Sequence, residues 1–138
     1  MGHSYLDFDG RTILLHDSLI EAIVKLMSNE FIVHRQDYDP RSIMTKQFRE
    51  WLSNIEHSGV GCIDLQLDAC LSDGRVLEQN LKLLDAVEKT VKNFGDMIPL
   101  SFLRTAVGPG YGRGIESRIV LRALSKFRAL LLKGGESP

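Results

Sequence analysis

Residues 72–95 read SDGRVLEQNLKLLDAVEKTVKNFG. Within this stretch Leu77, Leu81, Leu84, Val87, Val91 and Phe94 recur every three or four positions, the spacing that lines up one face of a helix. Ser72-Asp73 offers a side-chain acceptor to the orphan N–H groups of the first turn, and Gly95 tolerates the left-handed backbone that closes a helix. On the outer face Glu78 and Lys82, Asp85 and Lys89, and Glu88 and Lys92 are acidic-to-basic pairs at i, i+4, each worth about 0.2–0.5 kcal/mol. A long amphipathic helix is predicted here, and with it an α-rich fold.

Toward the C-terminus, Pro99 opens a short helix through Phe102 and Leu103, and residues 107–114, VGPGYGRG, are too rich in glycine for anything but a loop. A last helix is predicted from about Glu116 to Lys133, stopped by Gly134-Gly135 and followed by frayed residues. Toward the N-terminus, Val60 to Leu71 alternates imperfectly, with Ile63, Leu65 and Leu67 on one side and Asp64, Gln66 and Asp68 on the other, which favours an extended segment. Before it Met44, Phe48, Trp51, Leu52 and Ile55 form the stripe of a helix ending before Ser58-Gly59, with Asp39 placed to cap it, Pro40 suited to its first turn and Trp51 a core residue. A further helix, opened by a capping box of Ser18 and Glu21, runs to about His34 and turns Leu19, Ile20, Ile23, Val24, Met27 and Phe31 inward, leaving Glu21, Lys25 and Ser28 wet. The chain begins with two short apolar runs around Asp9-Gly10, a dipeptide that supplies the positive φ angles of a tight hairpin. The expectation is a mainly α, helical bundle-like single domain over residues 1–138 with a short N-terminal β-hairpin. No fixed period recurs, which excludes a repeat architecture.

With 138 residues, 43% hydrophobic and 25% charged, the chain can bury one core unaided. It has neither an apolar run of the roughly 18 residues that a membrane span needs nor the basic and apolar start of a secretory signal, so no membrane association and a cytoplasmic location are expected. Cys62 and Cys70 match no zinc or disulfide spacing and are expected to be buried, reduced thiols. The net charge of −1 conceals a split. Residues 1–98 carry 10 Lys and Arg against 16 Asp and Glu, whereas residues 99–138 carry 7 against 2. Such a dipole either steers a charged partner or is neutralised within the fold.

Four constellations bear on chemistry. LDFDGRT at residues 6–12 resembles the nucleophile motif of haloacid-dehalogenase-like phosphatases, which implies a magnesium-dependent phosphohydrolase using Asp7 and Asp9. That family requires a doubly wound parallel sheet, which the strand and helix order here does not offer, and a hairpin with an Asp-Gly turn explains the same residues. The loop 107–114 precedes a helix and, with Arg113 and Arg118, could cradle an anion; it lacks Gly-Lys-Ser/Thr and carries Pro109 where a donor is wanted. Arg118, Arg122 and Lys126 form a basic edge on the last helix that would suit a small nucleic-acid-binding or regulatory module, although few aromatics accompany it and a solvated face, or pairing with the acidic first part of the chain, explains it better. The histidines His3, His16, His34 and His57 are dispersed, and His34 with Asp37 and Asp39 has no metal-ligand spacing. No catalytic residue, metal or cofactor is expected.

The opening YLDFDGRTILL (residues 5–15), the FREWL helix (48–52) and IPLSFLRT (98–105), followed by a glycine-rich loop and an apolar last helix, resemble the immunity proteins of contact-dependent inhibition and other polymorphic toxin systems. The resemblance implies a non-enzymatic cytoplasmic protein that binds and neutralises a cognate toxin domain, possible targets including basic nucleases. For such a partner Asp37, Tyr38 and Asp39 are the first candidate patch, an aromatic anchor between two carboxylates, and Asp64 and Asp68 the second. Each has a structural alternative: Asp39 as a helix cap, Tyr38 as a core ring, the others as solvated charges.

Overall fold

The computed structural model describes residues 2–108 and 110–132. The element order is β1 (His3–Phe8), β2 (Arg11–His16), α1 (Asp17–Val33), α2 (Arg41–His57), α3 (Leu67–Cys70), α4 (Gly74–Asn93), β3 (Met97–Ile98), α5 (Leu100–Ala106), β4 (Ile115–Glu116) and α6 (Ser117–Leu131). The fold is mainly α with an N-terminal hairpin, as the periodicities predict.

Helix α1 occupies the centre. Ile20, Ala22, Ile23, Val24, Leu26, Met27 and Phe31 are all buried, and they cover well over half of the helix circumference. Helices α2, α4, α5 and α6 and strand β2 each pack on it, and α4 also packs on α6. Ser28, expected on a wet face, is buried as well, because a helix covered on several sides has no full solvent face to give it. Glu21 and Lys25 keep partial access to water and pair at 2.7 Å. Beside α1, the rings of Phe31, Phe48 and Trp51 meet at centroid distances of 5.6 and 5.5 Å, which confirms Trp51 in the core.

The hairpin pairs His3 with His16 through Phe8 with Arg11, and Asp9 and Gly10 take φ of 52° and 78° at its turn. Its inner face presents Ser4, Leu6, Phe8 and Leu15 to the core. The second strand runs directly into α1, which corrects the predicted cap: His16, not Ser18, precedes the helix, and its Nδ1 accepts the Ser18 N–H at 3.1 Å. Asp17 then fastens three segments. Its carboxylate accepts from the buried Ser4 hydroxyl at 2.6 Å and from the Gly61 N–H at 2.8 Å, while Ser4 Oγ accepts the Ile63 N–H at 3.1 Å. Burial pushes the Asp17 carboxyl upward, yet the Ser4 and Gly61 hydrogen bonds and the neighbouring His16 and His3 bring it below its ordinary value of 3.8.

Other boundaries also shift. Helix α2 starts at Arg41 with Pro40 at the cap position and no side-chain cap, so Asp39 does not serve that role. Residues 63–68 alternate in burial as expected, but without a strand partner. Gln66 takes φ of 52°, its N–H held by the Asp64 carboxylate, and that turn starts the one-turn helix α3 where extended chain was expected. Helix α4 begins after Asp73, whose side chain accepts the Arg75 N–H, and ends before Gly95 at φ of 80°. Of its three predicted ion pairs only Glu88 to Lys92, at 3.3 Å, is present among the described residues. Lys82 turns instead to the α1–α2 connection, and Asp85 joins Glu88 in holding Arg128 of α6. The pairing of β3 with β4 was not anticipated; it closes the glycine-rich loop at its base. Gly114 is required there, since a Cβ would lie 2.6 Å from the Ile98 carbonyl oxygen. Helix α6 starts one residue later than expected; Pro109, and the predicted ending of α6 at Lys133 with the residues after it, lie outside the described residues.

One buried polar contact crosses the bundle. Gln47 of α2 and Asn80 of α4 exchange both amide hydrogen bonds, at 2.8 and 2.9 Å, and Asn80 also donates to the Val76 carbonyl. All of this is shielded from water, so removing one amide strands the other.

Urea denaturation of Asn80→Leu is therefore expected to show a loss of about 1–3 kcal/mol, and Gln47→Leu on that background should recover part of it; an additive double mutant would contradict a reciprocal pair. The Asp17 anchorage contributes stability above pH 3.8, which drains away as pH falls through the lowered folded value. Asp17→Asn should be less stable than the parent at neutral pH, with the gap narrowing on acidification below pH 4; a pH-independent gap would refute the ionic contribution.

Candidate functional site

The chain leaves α1 through His34 and a 3-10 turn, Arg35–Asp37, before Tyr38 and Asp39 lead into α2. Asp37 and Asp39 are exposed, but the Tyr38 ring is 3% exposed, against Phe31 at a centroid distance of 6.0 Å. Tyr38 is thus corrected from partner anchor to internal anchor: the ring that sequence reasoning offered to a partner is already consumed by the core. Its hydroxyl is pushed up to about 12, first by burial and then by the nearby Glu30 and Asp37 carboxylates. Lys82 clamps the loop from α4, its Nζ donating to the Asp37 carbonyl at 2.9 Å and lying 5.0 Å from the centre of the Tyr38 ring. His34 approaches Glu30 at 3.5 Å and Asp37 at 3.9 Å, and the Arg35 guanidinium sits over the Phe31 ring.

Two exposed residues that the helical stripe left out precede this loop. Ile32 and Val33, at the end of α1, are 58% and 60% exposed directly before the acidic loop. Phe31 alone of the three points inward. The signal was present in the sequence as apolar residues off the inward face.

The second candidate pair serves local structure. Asp64 accepts the Gln66 N–H at 2.9 Å, and its own N–H donates to Asn54 Oδ1. Asp68 accepts the Asp9 N–H at 2.8 Å, pinning the hairpin turn to α3. No hydrogen bond or ion pair among the described residues joins this pair to Asp37 and Asp39. Asp68 also stands at the rim of a cleft of about 440 Å³ whose walls include Phe8, Leu71, Leu77 and Leu131, with Arg11 across it donating to the Leu132 carbonyl.

The remaining constellations are placed as follows. Asp7 accepts the Thr12 hydroxyl at 2.5 Å across an antiparallel hairpin, and Asp9 sits in its turn, a setting unlike the end of a parallel strand. Arg118 is held by Glu116 at 2.8 Å, and the Arg104 guanidinium donates to the Tyr111 carbonyl inside the glycine-rich loop. Arg122 and Lys126 are exposed on α6. Cys62 is exposed, against expectation, because the segment after α2 lies on the surface; Cys70 is half-buried, and burial raises its pKa. Both thiols are free. Among the described residues no group of three His, Cys, Asp or Glu side chains gathers around a metal-sized space, and no helix is long and apolar enough to cross a membrane. No family model, curated protein or solved structure matches the chain.

Truncating the anchor and truncating the charges should separate cleanly in thermal or urea unfolding. Tyr38→Ala is expected to cost about 3–5 kcal/mol, whereas Asp37→Ala and Asp39→Ala stay within about 0.5 kcal/mol; comparable losses would contradict this division of roles.

Proposed function

We propose that this protein is a binding protein of the immunity type, which occupies and neutralises a cognate toxin domain in the cytoplasm through the connection between α1 and α2. The observation that carries this reading is the succession of two exposed aliphatic side chains at the end of α1, Ile32 and Val33, and two exposed carboxylates, Asp37 and Asp39, on the following loop, which is fixed from beneath. Protein interfaces combine a small apolar centre, which must be desolvated, with a charged rim that orients the encounter. A loop already ordered by Tyr38 and Lys82 loses little further conformational freedom when it binds. The resemblance of the hairpin, the FREWL helix and the IPLSFLRT segment to immunity proteins supports the same reading. Neutralisation then needs no chemistry from this chain. Covering a basic substrate cleft with carboxylates and an apolar plug excludes substrate by occupancy.

The test is co-purification with the product encoded immediately upstream, which this reading requires to carry a toxin domain, followed by stopped-flow binding. A tight complex lacking toxin activity is expected. Asp37→Asn with Asp39→Asn should slow association by about tenfold at low salt, less at high salt, and Ile32→Ser with Val33→Ser should speed dissociation. Unchanged rates in both double variants would remove this surface from the interface, and no complex at all would remove the reading.

A further inference from the structure

A second surface lies on α6 and the outer face of the hairpin. Among the described residues, nine large apolar side chains are strongly exposed, and four of them, Tyr5, Leu14, Met97 and Ile119, are linked one to the next. Tyr5 and Leu14 are directly paired across β1 and β2 on the face turned away from the core. Leu14 and Ile119 line the same hollow of about 230 Å³, together with His3, His16, Arg122 and Lys126. Ile119 and Met97 line the adjoining hollow of about 430 Å³, with Arg113 and Ile115. Ile119 therefore forms a ridge between two depressions with apolar walls.

The charge on this band is predominantly positive, although Asp7 shares the outer face of β1 with Tyr5. Arg113, Arg118, Arg122 and Lys126 border it, and the last three recur at i, i+4 along one edge of α6. Glu116 is the one carboxylate lining either hollow, and it is already bonded to Arg118. Arg122 and Lys126 make no ion pair or hydrogen bond among the described residues, whereas Arg128, two residues beyond Lys126 and turned toward α4, is engaged by Asp85 and Glu88. The positive excess of the C-terminal part is thus partly absorbed by α4 and partly displayed.

We infer that this band is a docking surface for an acidic amphipathic segment of a partner protein, whose apolar side chains seat in the two hollows astride Ile119 while its carboxylates meet Arg113, Arg122 and Lys126. Charge complementarity selects an anionic partner, and the apolar walls select a protein among anionic partners. A nucleic-acid strand would leave Leu14, Met97 and Ile119 against phosphate and sugar, with Tyr5 as the lone stacking ring. A bilayer surface is flat and would not fill the depressions. The surface is separate from the α1–α2 loop and of opposite charge, so the inference does not rest on the toxin-binding reading.

The probe is a fluorescent designed helical peptide with Leu at i, i+4 and i+7 flanked by Glu, titrated by anisotropy and mapped by amide chemical shifts on the full chain. Binding that weakens with salt, shifts centred on Leu14, Ile119 and Arg122, and at least about tenfold weaker binding by Arg122→Glu with Lys126→Glu are expected. Ile119→Ser should weaken it independently of salt. The amide spectrum reports the fold of each variant. Absence of binding, shifts elsewhere, or equal binding by the matching peptide with Lys in place of Glu would overturn the inference. So would preferential binding to phosphatidylserine vesicles or to a thymidine oligonucleotide, which would assign the surface to a membrane or to nucleic acid.

Discussion

The structure depends on the burial of α1 from several directions. A helix with one apolar stripe needs one neighbour; α1, with Ala22, Val24 and Leu26 buried as well as Ile20, Ile23, Met27 and Phe31, needs a shell. The hairpin, α2, α4, α5 and α6 are that shell, and each is amphipathic because only its inner side meets α1 or another helix. At roughly 25 cal/mol per Å² of apolar area, this central burial outweighs any capping or ion-pair contribution in the fold. The polar contacts do a different job. Gln47 with Asn80, and Asp17 with Ser4 and Gly61, set which neighbour lies where, since each is satisfied in one register alone.

Much of this architecture is legible in the sequence, and the parts that are not share a physical cause. Periodicity finds the long helices, and Asp9-Gly10 finds the hairpin, because both are local properties. Position in the bundle is not local. Ser28 reads as a wet residue until a neighbouring helix covers it, and Tyr38 reads as a loop aromatic until Phe31 and Lys82 enclose it. The caps depend on context too: the hairpin runs straight into α1 and gives the role of Ser18 to His16, while Pro40 takes the cap position of α2 in place of Asp39. The two-residue strands β3 and β4 are too short for any alternation to register, and Gly114, which permits their approach, looks like one more glycine of a loop.

The candidate surfaces were legible to a lesser degree. Asp37 and Asp39 are exposed as a contact loop requires, while Asp64 and Asp68 turn out to hold backbone N–H groups of α3 and of the hairpin turn. What composition showed as a split between the two parts of the chain resolves into three dispositions: Arg128 bound to α4, an acidic loop with Ile32 and Val33 beside it, and a cationic band with apolar hollows along α6. Opposite charges on separate surfaces suit a protein that meets two different partners better than one that presents a single uniform field.

Arg11 at the end of the hairpin donates to the carbonyl of Leu132, 121 residues later, and α6 packs on both hairpin strands. During synthesis the hairpin and α1 emerge before the helices that cover them. The shell closes only when α6 has left the ribosome, so the elements that precede it wait for their last neighbour. Until then the side of α1 and of the hairpin that α6 covers is open to any holding factor at the exit site, and a chain stalled before α6 would carry that apolar surface uncovered.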